Sequence, residues 1–237
     1  KIKSKSKIKS KSKSSRLYLM KKPNNKILPV FDPKPSGKFA ADLLEKTGQK
    51  GILIGRLAVW MFLKDTSEHG YTKDLDMAVS EQGCFEIRNY LKDKNVTVSN
   101  LLIGGINVKS GDNINIDFID RSSREWGDYS SLFDEAVAEA VRSDRTVRLD
   151  DTEALYLVSP EYLIIMKLLT MEKKDEDDAK LLLQSANPDI NKIRDIISKH
   201  PDPLVRTRLE IIRTRMEIIL RDMNHKESKL LKYKHVS

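Results

Sequence analysis

Two aspartates one residue apart begin an apolar segment of this sequence. Asp74 and Asp76 stand in "KDLDMAVS", where polar and apolar residues alternate as they do in a β-strand. Side chains two residues apart in a strand point to the same face, roughly 7 Å apart at Cα. Two carboxylates placed in this way repel each other. A bound cation would neutralise them, so the pair predicts a metal site; ion pairs with Lys73 or another base are the alternative.

A third carboxylate lies on a later predicted strand, "INIDFID". The period of two places Asn115, Asp117 and Ile119 on one face of this strand, and the larger apolar residues on the other. Asp117 is therefore available to the surface of a sheet. It is either a partner for the Asp74–Asp76 pair or an ordinary solvent-facing acid.

The segments around these aspartates predict a mixed α/β region. A helix is expected from Ser36, as its N-cap, to Gly48, followed by a short buried strand at 51–55. A mostly buried helix, "RLAVWMFLKD", and an amphipathic helix, "EQGCFEIRNYLKDK", precede and follow the Asp74–Asp76 strand. Short apolar runs separated by glycine turns then predict antiparallel hairpins, with the strands "VTVSNLLI", "INVK" and "INIDFID".

The second half of the chain is predominantly helical. A short strand pair is predicted near "RTVRL" and "ALYLVS", and only helices are predicted from Pro160 onward. The predicted fold class is α+β, a mixed sheet flanked by helices and followed by an all-helical C-terminal region. We divide the chain into a basic tail at 1–19, an α/β domain at 20–150 and a helical domain at 151–237.

The net charge of +8 comes from the first residues of the chain. Of the 43 basic residues, seven lysines and Arg16 lie within 1–19, which leaves 35 basic against 35 acidic residues elsewhere. Such a tail is expected to be disordered. It is a basic arm that binds nucleic acid or an anionic surface, a solvated extension, or a segment that precedes a true start at Met20.

Cysteine content and hydropathy bear on the compartment. Cys84 is the single cysteine, so no intramolecular disulfide can form, which favours a reducing compartment. No apolar run approaches the roughly 20 residues of a membrane span. We therefore expect a cytoplasmic protein with no membrane partner.

The order of the motifs resembles the nucleotidyltransferase superfamily that includes DNA polymerase β. In that superfamily a strand ends in glycine, a helix follows, and an Asp-x-Asp strand precedes a third acid on a neighbouring strand. "ILIGRLAVWMF" and "TKDLDM" look most like the AbiEii-type toxin nucleotidyltransferases and their uncharacterised relatives. The matching residues are Gly55, Ala58, Thr72, Asp74, Asp76 and Asp117.

The resemblance extends into the helical half. "SPEYLIIMKLLTMEKKDEDD" is similar to a segment of those relatives in which a helical lysine precedes a Lys-Asp-x-x-Asp cluster. Lys167, Lys174, Asp175 and Asp178 occupy the matching positions. Without the resemblance, we would interpret Lys167 as an exposed helical lysine, and Asp175 and Asp178 as part of a solvated helix face.

The resemblance implies an NTP-dependent transferase with two Mg²⁺ ions. Asp74 and Asp76 would bind the metals, and Asp117 would complete the second metal site and help to deprotonate the acceptor hydroxyl. Lys167 would contact a phosphate. Gly55, Arg56, Thr72, Asp175 and Asp178 would form the nucleotide-binding set, although Thr72 has a simpler interpretation as a turn cap. The implied partners are the NTP, an acceptor such as RNA or tRNA, and a cognate antitoxin.

Arg56 departs from the pattern, because the superfamily has glycine or serine after the first glycine. A long side chain there blocks the phosphate cradle, or else places a guanidinium on the phosphates. The first case leads to the alternative function, a catalytically inactive module of the same fold that binds a nucleotide or a partner.

The last predicted helix carries arginines seven residues apart, Arg206 with Arg213 and Arg208 with Arg215. We interpret them as a solvated face or as partners of nearby glutamates. A stripe that contacts RNA phosphates is the alternative.

Overall fold

A seven-stranded mixed sheet forms the centre of the fold. The computed structural model describes residues 32–63, 72–111, 113–121, 129–149 and 154–234, with side chains up to residue 225. The strands in chain order are β1 (Ile52–Ile54), β2 (Leu75–Val79), β3 (Thr97–Asn100), β4 (Gly105–Ser110), β5 (Ile114–Asp120), β6 (Thr146–Arg148) and β7 (Ala154–Leu157).

The spatial order of the strands is β3-β4-β5-β2-β1-β7-β6. Strands β3, β4 and β5 form an antiparallel meander, which confirms the predicted hairpins. Strand β2 lies parallel to β5, and β1 lies parallel to β7. The remaining pairs, β1 with β2 and β6 with β7, are antiparallel, and the second of these confirms the predicted short strand pair.

Eight helices surround and extend the sheet in the described part of the chain. Those associated with the sheet are α1 (Pro33–Thr47), α2 (Gly55–Met61), α3 (Glu81–Leu91) and α4 (Ser130–Arg142). The helical region that follows contains α5 (Pro160–Leu169), α6 (Lys173–Ser185), α7 (Ile190–Ser198) and α8 (Pro203–Lys234). The predicted fold class, a mixed sheet flanked by helices and followed by a helical region, is therefore confirmed.

The first helix begins earlier than predicted. Helix α1 starts at Pro33, and the Asp32 carboxylate caps it by accepting a hydrogen bond from the backbone N–H of Lys34. Ser36, the predicted cap, is instead fully buried, and its Oγ accepts a hydrogen bond of 3.0 Å from the backbone N–H of Asn115. The prediction was wrong because a serine that serves tertiary packing looks like a capping serine in the sequence.

Two groups of helices pack around the sheet. Helices α1 and α3 contact each other and both contact β5. Helix α2 contacts β1 and β2, and it also packs against α5 and α6. Helices α7 and α8 in turn contact α5. Helix α2 therefore connects the centre of the sheet to the helical region.

The sheet extends beyond the predicted boundary at residue 150, because β7 lies after it and pairs with β1. The division into domains remains a prediction. The basic tail at 1–19 lies outside the described residues. Among the helices that are described, none is both long and apolar enough to cross a membrane.

Candidate active site

The three sheet aspartates share one face at the centre of the sheet. The parallel register of β2 and β5 places Asp76 directly opposite Asp117. Asp74 precedes Asp76 by two residues, so strand alternation directs both to the same side. The negative charge of Asp74 acts on both Asp76 and Asp117, which indicates that the three carboxylates are close together.

Gly55 adjoins the Asp76 carboxylate. Its φ of +69° lies in the left-handed region, and a Cβ at this position would lie 1.9 Å from Oδ2 of Asp76. Only glycine therefore fits here, both for the backbone and for the neighbouring side chain. The sequence suggested a glycine that lets phosphates approach the backbone, and that role stays a prediction. The contact with Asp76 is an additional reason that the sequence pattern did not reveal.

Two of the sheet carboxylates, Asp76 and Asp117, have raised pKa values. Burial, together with the charges of Asp74 and Asp117, raises the pKa of Asp76 to about 7. Burial also raises the pKa of Asp117, although a hydrogen bond from Asn107 acts in the opposite direction. Crowded carboxylates of this kind are typical of sites that bind a cation.

Thr72 holds Asp74 in place. Its buried hydroxyl donates to the backbone carbonyl of Asp74 at 3.1 Å and lies 3.2 Å from the Asp74 carboxylate. The resemblance implied that Thr72 binds the nucleotide, and the simpler interpretation was a turn cap, which the hydrogen bond to the Asp74 carbonyl two residues on favours. In the structure its contacts are with an aspartate of the site.

Two asparagines that the sequence analysis did not select connect the strands at this site. Asn107 Nδ2 donates to Oδ1 of Asp117 at 2.6 Å and to Oδ1 of Asn115 at 2.8 Å. Asn115 Nδ2 donates in turn to the backbone carbonyl of Lys73 at 2.9 Å, next to Asp74. The shared face of Asn115 and Asp117 was a usable signal, but the partner of Asp117 on β4 depends on the hairpin register.

A second charged cluster lies between α5 and α6. Lys167 Nζ lies 2.6 Å from Oδ1 of Asp175 and 3.0 Å from Oδ2 of Asp178. The Thr170 hydroxyl donates to the other oxygen of Asp175 at 2.7 Å. Both aspartates are buried, so neither belongs to a solvated face. Lys174 differs from its neighbours, because it forms an exposed ion pair with Glu172.

Arg56 belongs to this second cluster. Its Nη1 lies 3.1 Å from Oδ1 of Asp178, whose side chain is 1% exposed. Burial raises the pKa of Asp178, while the positive charges of Lys167 and Arg56 oppose the rise. Burial also acts to raise the pKa of Asp175, but the hydrogen bonds from Lys167 and Thr170 and the positive charges of Lys167 and Lys174 together outweigh it, and the pKa is lowered.

The two clusters are electrostatically connected. The charge of Lys167 lowers the pKa of Asp76, and the charge of Asp175 raises it. Lys167 therefore lies near enough to the sheet carboxylates to stabilise negative charge there. The structure thus places all nine predicted site residues in two neighbouring groups. The sheet group contains Gly55, Thr72, Asp74, Asp76 and Asp117, and the helical group contains Arg56, Lys167, Asp175 and Asp178.

The arginines of α8 have partners within the chain. Arg206 donates to the carbonyl of His200, and Arg213 forms an ion pair with Glu210. Arg215 contacts Leu168 O and Glu176. These contacts favour the interpretation of intramolecular pairing over a stripe for RNA phosphates.

The donor set can be compared with the requirements of a metal ion. Within the ranges that the structure describes, no three His, Cys, Asp or Glu side chains form a preassembled metal-binding group. Mg²⁺ prefers oxygen ligands and is commonly held by one or two carboxylates together with substrate phosphates and water. Asp74, Asp76 and Asp117 supply donors of this type, so the residues fit an ion that binds together with a nucleotide.

The sequence matches no protein-family profile and no curated protein. Among solved structures, the chain is similar to the solution structure of the antibiotic-resistance factor ANT(2″)-Ia, with a TM-score of 0.45 and 14% identity. That match covers 82% of this chain and 99% of the other. The chain is also similar to an antigenic nucleotidyltransferase-like protein from Paracoccidioides brasiliensis. There the TM-score is 0.45 and the identity 13%, over 77% of this chain and 95% of the other.

A further similarity is to terminal uridylyl transferase 4 from Trypanosoma brucei with bound GTP. Its TM-score is 0.31 and its identity 11%, over 65% of this chain and 50% of the other. None of these three proteins is described as an AbiEii-type toxin, so that finer resemblance stays a prediction.

Proposed function

We propose that this protein is a Mg²⁺-dependent nucleotidyltransferase. It moves a nucleoside monophosphate from an NTP to an acceptor and releases pyrophosphate. The observation that carries the proposal is the register that sets Asp76 against Asp117, with Asp74 on the same face. Three carboxylates crowded on one sheet face, with the pKa of Asp76 raised to about 7, form a site that favours a cation.

The sheet group performs the chemistry in this proposal. Mg²⁺, when bound, stabilises the charge that develops on the attacking and leaving oxygens. Asp74 and Asp76 hold the ions, and Asp117 completes the second site. The acceptor oxygen attacks the α-phosphorus, the bond to the β-phosphate oxygen breaks, and pyrophosphate leaves. Asp117 accepts the proton of the acceptor hydroxyl, and the hydrogen bond from Asn107 fixes its carboxylate.

The remaining residues bind and orient the nucleotide. Gly55 leaves space at Asp76, and Thr72 orients Asp74. Lys167 contacts a phosphate as a point charge. Asp175 and Asp178 hold Lys167 in place from α6.

For the acceptor, we propose an RNA, with tRNA as the first candidate, and a toxin-like role opposed by a cognate antitoxin. The support is the likeness of "ILIGRLAVWMF" and "TKDLDM" to AbiEii-type nucleotidyltransferases. A protein or small-molecule acceptor would use the same carboxylates, so the acceptor has to be identified by the assay itself.

The test is transfer of label from each of the four α-³²P-labelled NTPs, with Mg²⁺, to total cellular RNA and to the protein itself. Wild type is compared with the double variant Asp74→Ala/Asp76→Ala. Asp195→Asn, which changes an exposed carboxylate paired with Lys199, serves as the matched control. Label is expected with wild type and the control and not with the double variant. Equal labelling by the double variant would contradict the proposal.

A second candidate is a module of the same fold that binds a nucleotide without turnover. It is favoured by Arg56, whose long side chain follows Gly55 at the start of α2, where the superfamily pattern has glycine or serine. This candidate predicts Mg²⁺-dependent binding of an NTP by wild type with no label transferred to RNA or protein.

A further inference from the structure

Gly55 and Arg56 are consecutive residues that contact different clusters. Gly55 adjoins the Asp76 carboxylate on the sheet, whereas Arg56 forms an ion pair with Asp178 on α6. The Arg56 side chain is 21% exposed and that of Asp178 only 1%. The beginning of α2 therefore connects the sheet carboxylates directly to the buried charges of the helical region.

The helical cluster balances two cations against two carboxylates. Asp178 has one oxygen at 3.1 Å from Arg56 and the other at 3.0 Å from Lys167. Neither oxygen of Asp178 has a well-aligned hydrogen bond within the described residues, so these two cations neutralise the carboxylate chiefly through their charge. When one of the two cations is removed, the buried carboxylate is less fully neutralised and the remaining cation no longer feels the repulsion of the first, so the net attraction on it increases.

Lys167 is the residue that would respond to such a change. It already contacts Asp175 at 2.6 Å, and its charge acts on Asp76. Without Arg56, Lys167 would be the one cation shared by Asp175 and Asp178 in this part of the described structure. The two carboxylates that already hold it from α6 would then attract it without the opposing charge of Arg56, and it would interact less strongly with a phosphate at the sheet.

We infer that Arg56 is a positioning residue, which neutralises Asp178 and thereby leaves the Lys167 ammonium available to the nucleotide site. The inference rests on the proposed function, in which Lys167 contacts a phosphate. It also assigns a use to the one residue that departs from the superfamily pattern. In this role Arg56 acts through Asp178 and Lys167 and needs no contact with the nucleotide.

The test is a double-mutant cycle of Arg56→Met and Asp178→Asn. The first quantity measured is the rate at which Lys167 is acetylated. Acetylation of Lys167 is timed by mass spectrometry in the protein without nucleotide. In Arg56→Met, two carboxylates act on the Lys167 ammonium without the opposing charge of Arg56, so we expect acetylation to slow by about threefold or more. The double variant, in which charge balance returns, should regain most of the wild-type rate. An unchanged rate in Arg56→Met would overturn the inference.

The second measurement, of kcat and KM, distinguishes a positioning role of Arg56 from direct binding of the nucleotide by Arg56. Arg56→Met should lower kcat by about tenfold with little change in the KM for the NTP, and Asp178→Asn should restore much of the loss. A guanidinium that binds phosphate directly predicts the opposite, a raised KM that Asp178→Asn does not repair, and this would overturn the inference.

A second arginine–carboxylate pair, more exposed than Arg56–Asp178, controls for the loss of an ion pair between two helices. Arg194 and Glu217 form an ion pair of 2.8 Å between α7 and α8. Arg194→Met and Glu217→Gln should therefore leave both the acetylation rate of Lys167 and the kinetic constants unchanged. If Arg56→Met does not fold, the single variant Asp178→Asn tests the inference. Asp178→Asn should increase the acetylation rate of Lys167, and an unchanged rate would overturn the inference. Absence of nucleotide transfer by wild type would refute the proposed function. The acetylation rates would still show whether Arg56 affects the reactivity of Lys167.

Discussion

The two clusters of aspartates contain the same side chain in opposite electrostatic settings. On α6, Asp175 and Asp178 lie within 3.1 Å of Lys167 or Arg56. On the sheet, none of the three carboxylates forms an ion pair with a described residue, and the nearest strong influences include other carboxylates. Burial acts on both clusters, but among the described residues only the carboxylates of the helical cluster have cations at ion-pair distance.

From this comparison we infer different roles for the two clusters: structural support for the helical cluster and chemistry for the sheet cluster. The helical cluster pairs two carboxylates with two cations and joins α2, α5 and α6, so we expect it to support the packing of these helices. Lys73 and Lys109 only partly offset the charge of Asp117, and the remaining repulsion among the sheet carboxylates costs stability that a bound cation would recover. We therefore expect substitutions in the sheet cluster to impair activity more than stability, and substitutions in the helical cluster to affect both.

The largest effect is expected from Asp76→Asn. This change keeps the shape of the side chain but removes the charge that would hold the metal ion. Transfer of label should fall by roughly 10³-fold or more, since charge stabilisation is usually the largest single contribution to such a reaction. Circular dichroism should show an intact fold, and the control Asp195→Asn should keep wild-type activity. Substantial activity in Asp76→Asn would remove the distinction between the two clusters.

Gly55→Ala should come next. Gly55 and Gly48 have nearly equal backbone conformations, with φ of +69° and +64°. A Cβ at Gly48 would meet nothing within 4 Å, whereas one at Gly55 would collide with Asp76. Each alanine should cost about 1–2 kcal/mol of unfolding free energy for the backbone alone.

Only Gly55→Ala should also lower transfer, by about 10²-fold, because it displaces the Asp76 carboxylate. The measurement is chemical denaturation together with the labelling assay on both variants. Equal activity in the two alanine variants would show that the space beside Asp76 is unimportant.

Asn107→Ala should have a smaller effect. It removes the 2.6 Å hydrogen bond that fixes the Asp117 carboxylate. Loss of a residue that orients a metal ligand typically costs 10–100-fold in metal affinity or activity, and we expect a fall in kcat of about that size. Asn100→Ala, which removes a strand asparagine that accepts from Arg88, is the control and should be nearly silent. A silent Asn107→Ala would show that Asp117 needs no support from β4.

The smallest effect concerns pH and stability. In the unfolded chain Asp76 ionises near its ordinary pKa of 3.8, whereas in the fold its pKa is raised to about 7. The folded protein therefore binds this proton more tightly, which stabilises it below about pH 4, and the stabilisation is lost as pH rises through 7. Without metal, the melting temperature of wild type should fall over that range more than that of Asp76→Asn. Parallel pH profiles for the two proteins would contradict the raised pKa.

Much of the fold could be predicted because its signals are local. The run from β1 through Gly55 to α2, the hairpins of β3 to β5 and the helices after Pro160 all follow from periodicity and turn residues. The start of α1 was wrong because Ser36 is used by β5 and not by its own helix. Competition between local and tertiary hydrogen bonds is invisible in the sequence.

The sequence predicted which residues belong to the candidate site but not how they are arranged in space. Strand alternation indicated that Asp74 and Asp76 share a face, but their approach to Asp117 depends on the parallel pairing of β2 with β5. The collision that explains Gly55 and the ion pair that explains Arg56 both join residues far apart in the chain. Such contacts arise from packing, and no local pattern contains them.

The central claim is that the sheet carboxylates bind Mg²⁺ together with a nucleotide. Its most direct test is isothermal titration of a non-hydrolysable NTP into wild type and Asp76→Asn, each with Mg²⁺ and with EDTA. We predict that wild type binds the NTP tightly only with Mg²⁺ and that Asp76→Asn loses this dependence. Equal affinity of the two proteins with Mg²⁺, or wild-type binding that is indifferent to EDTA, would contradict the claim.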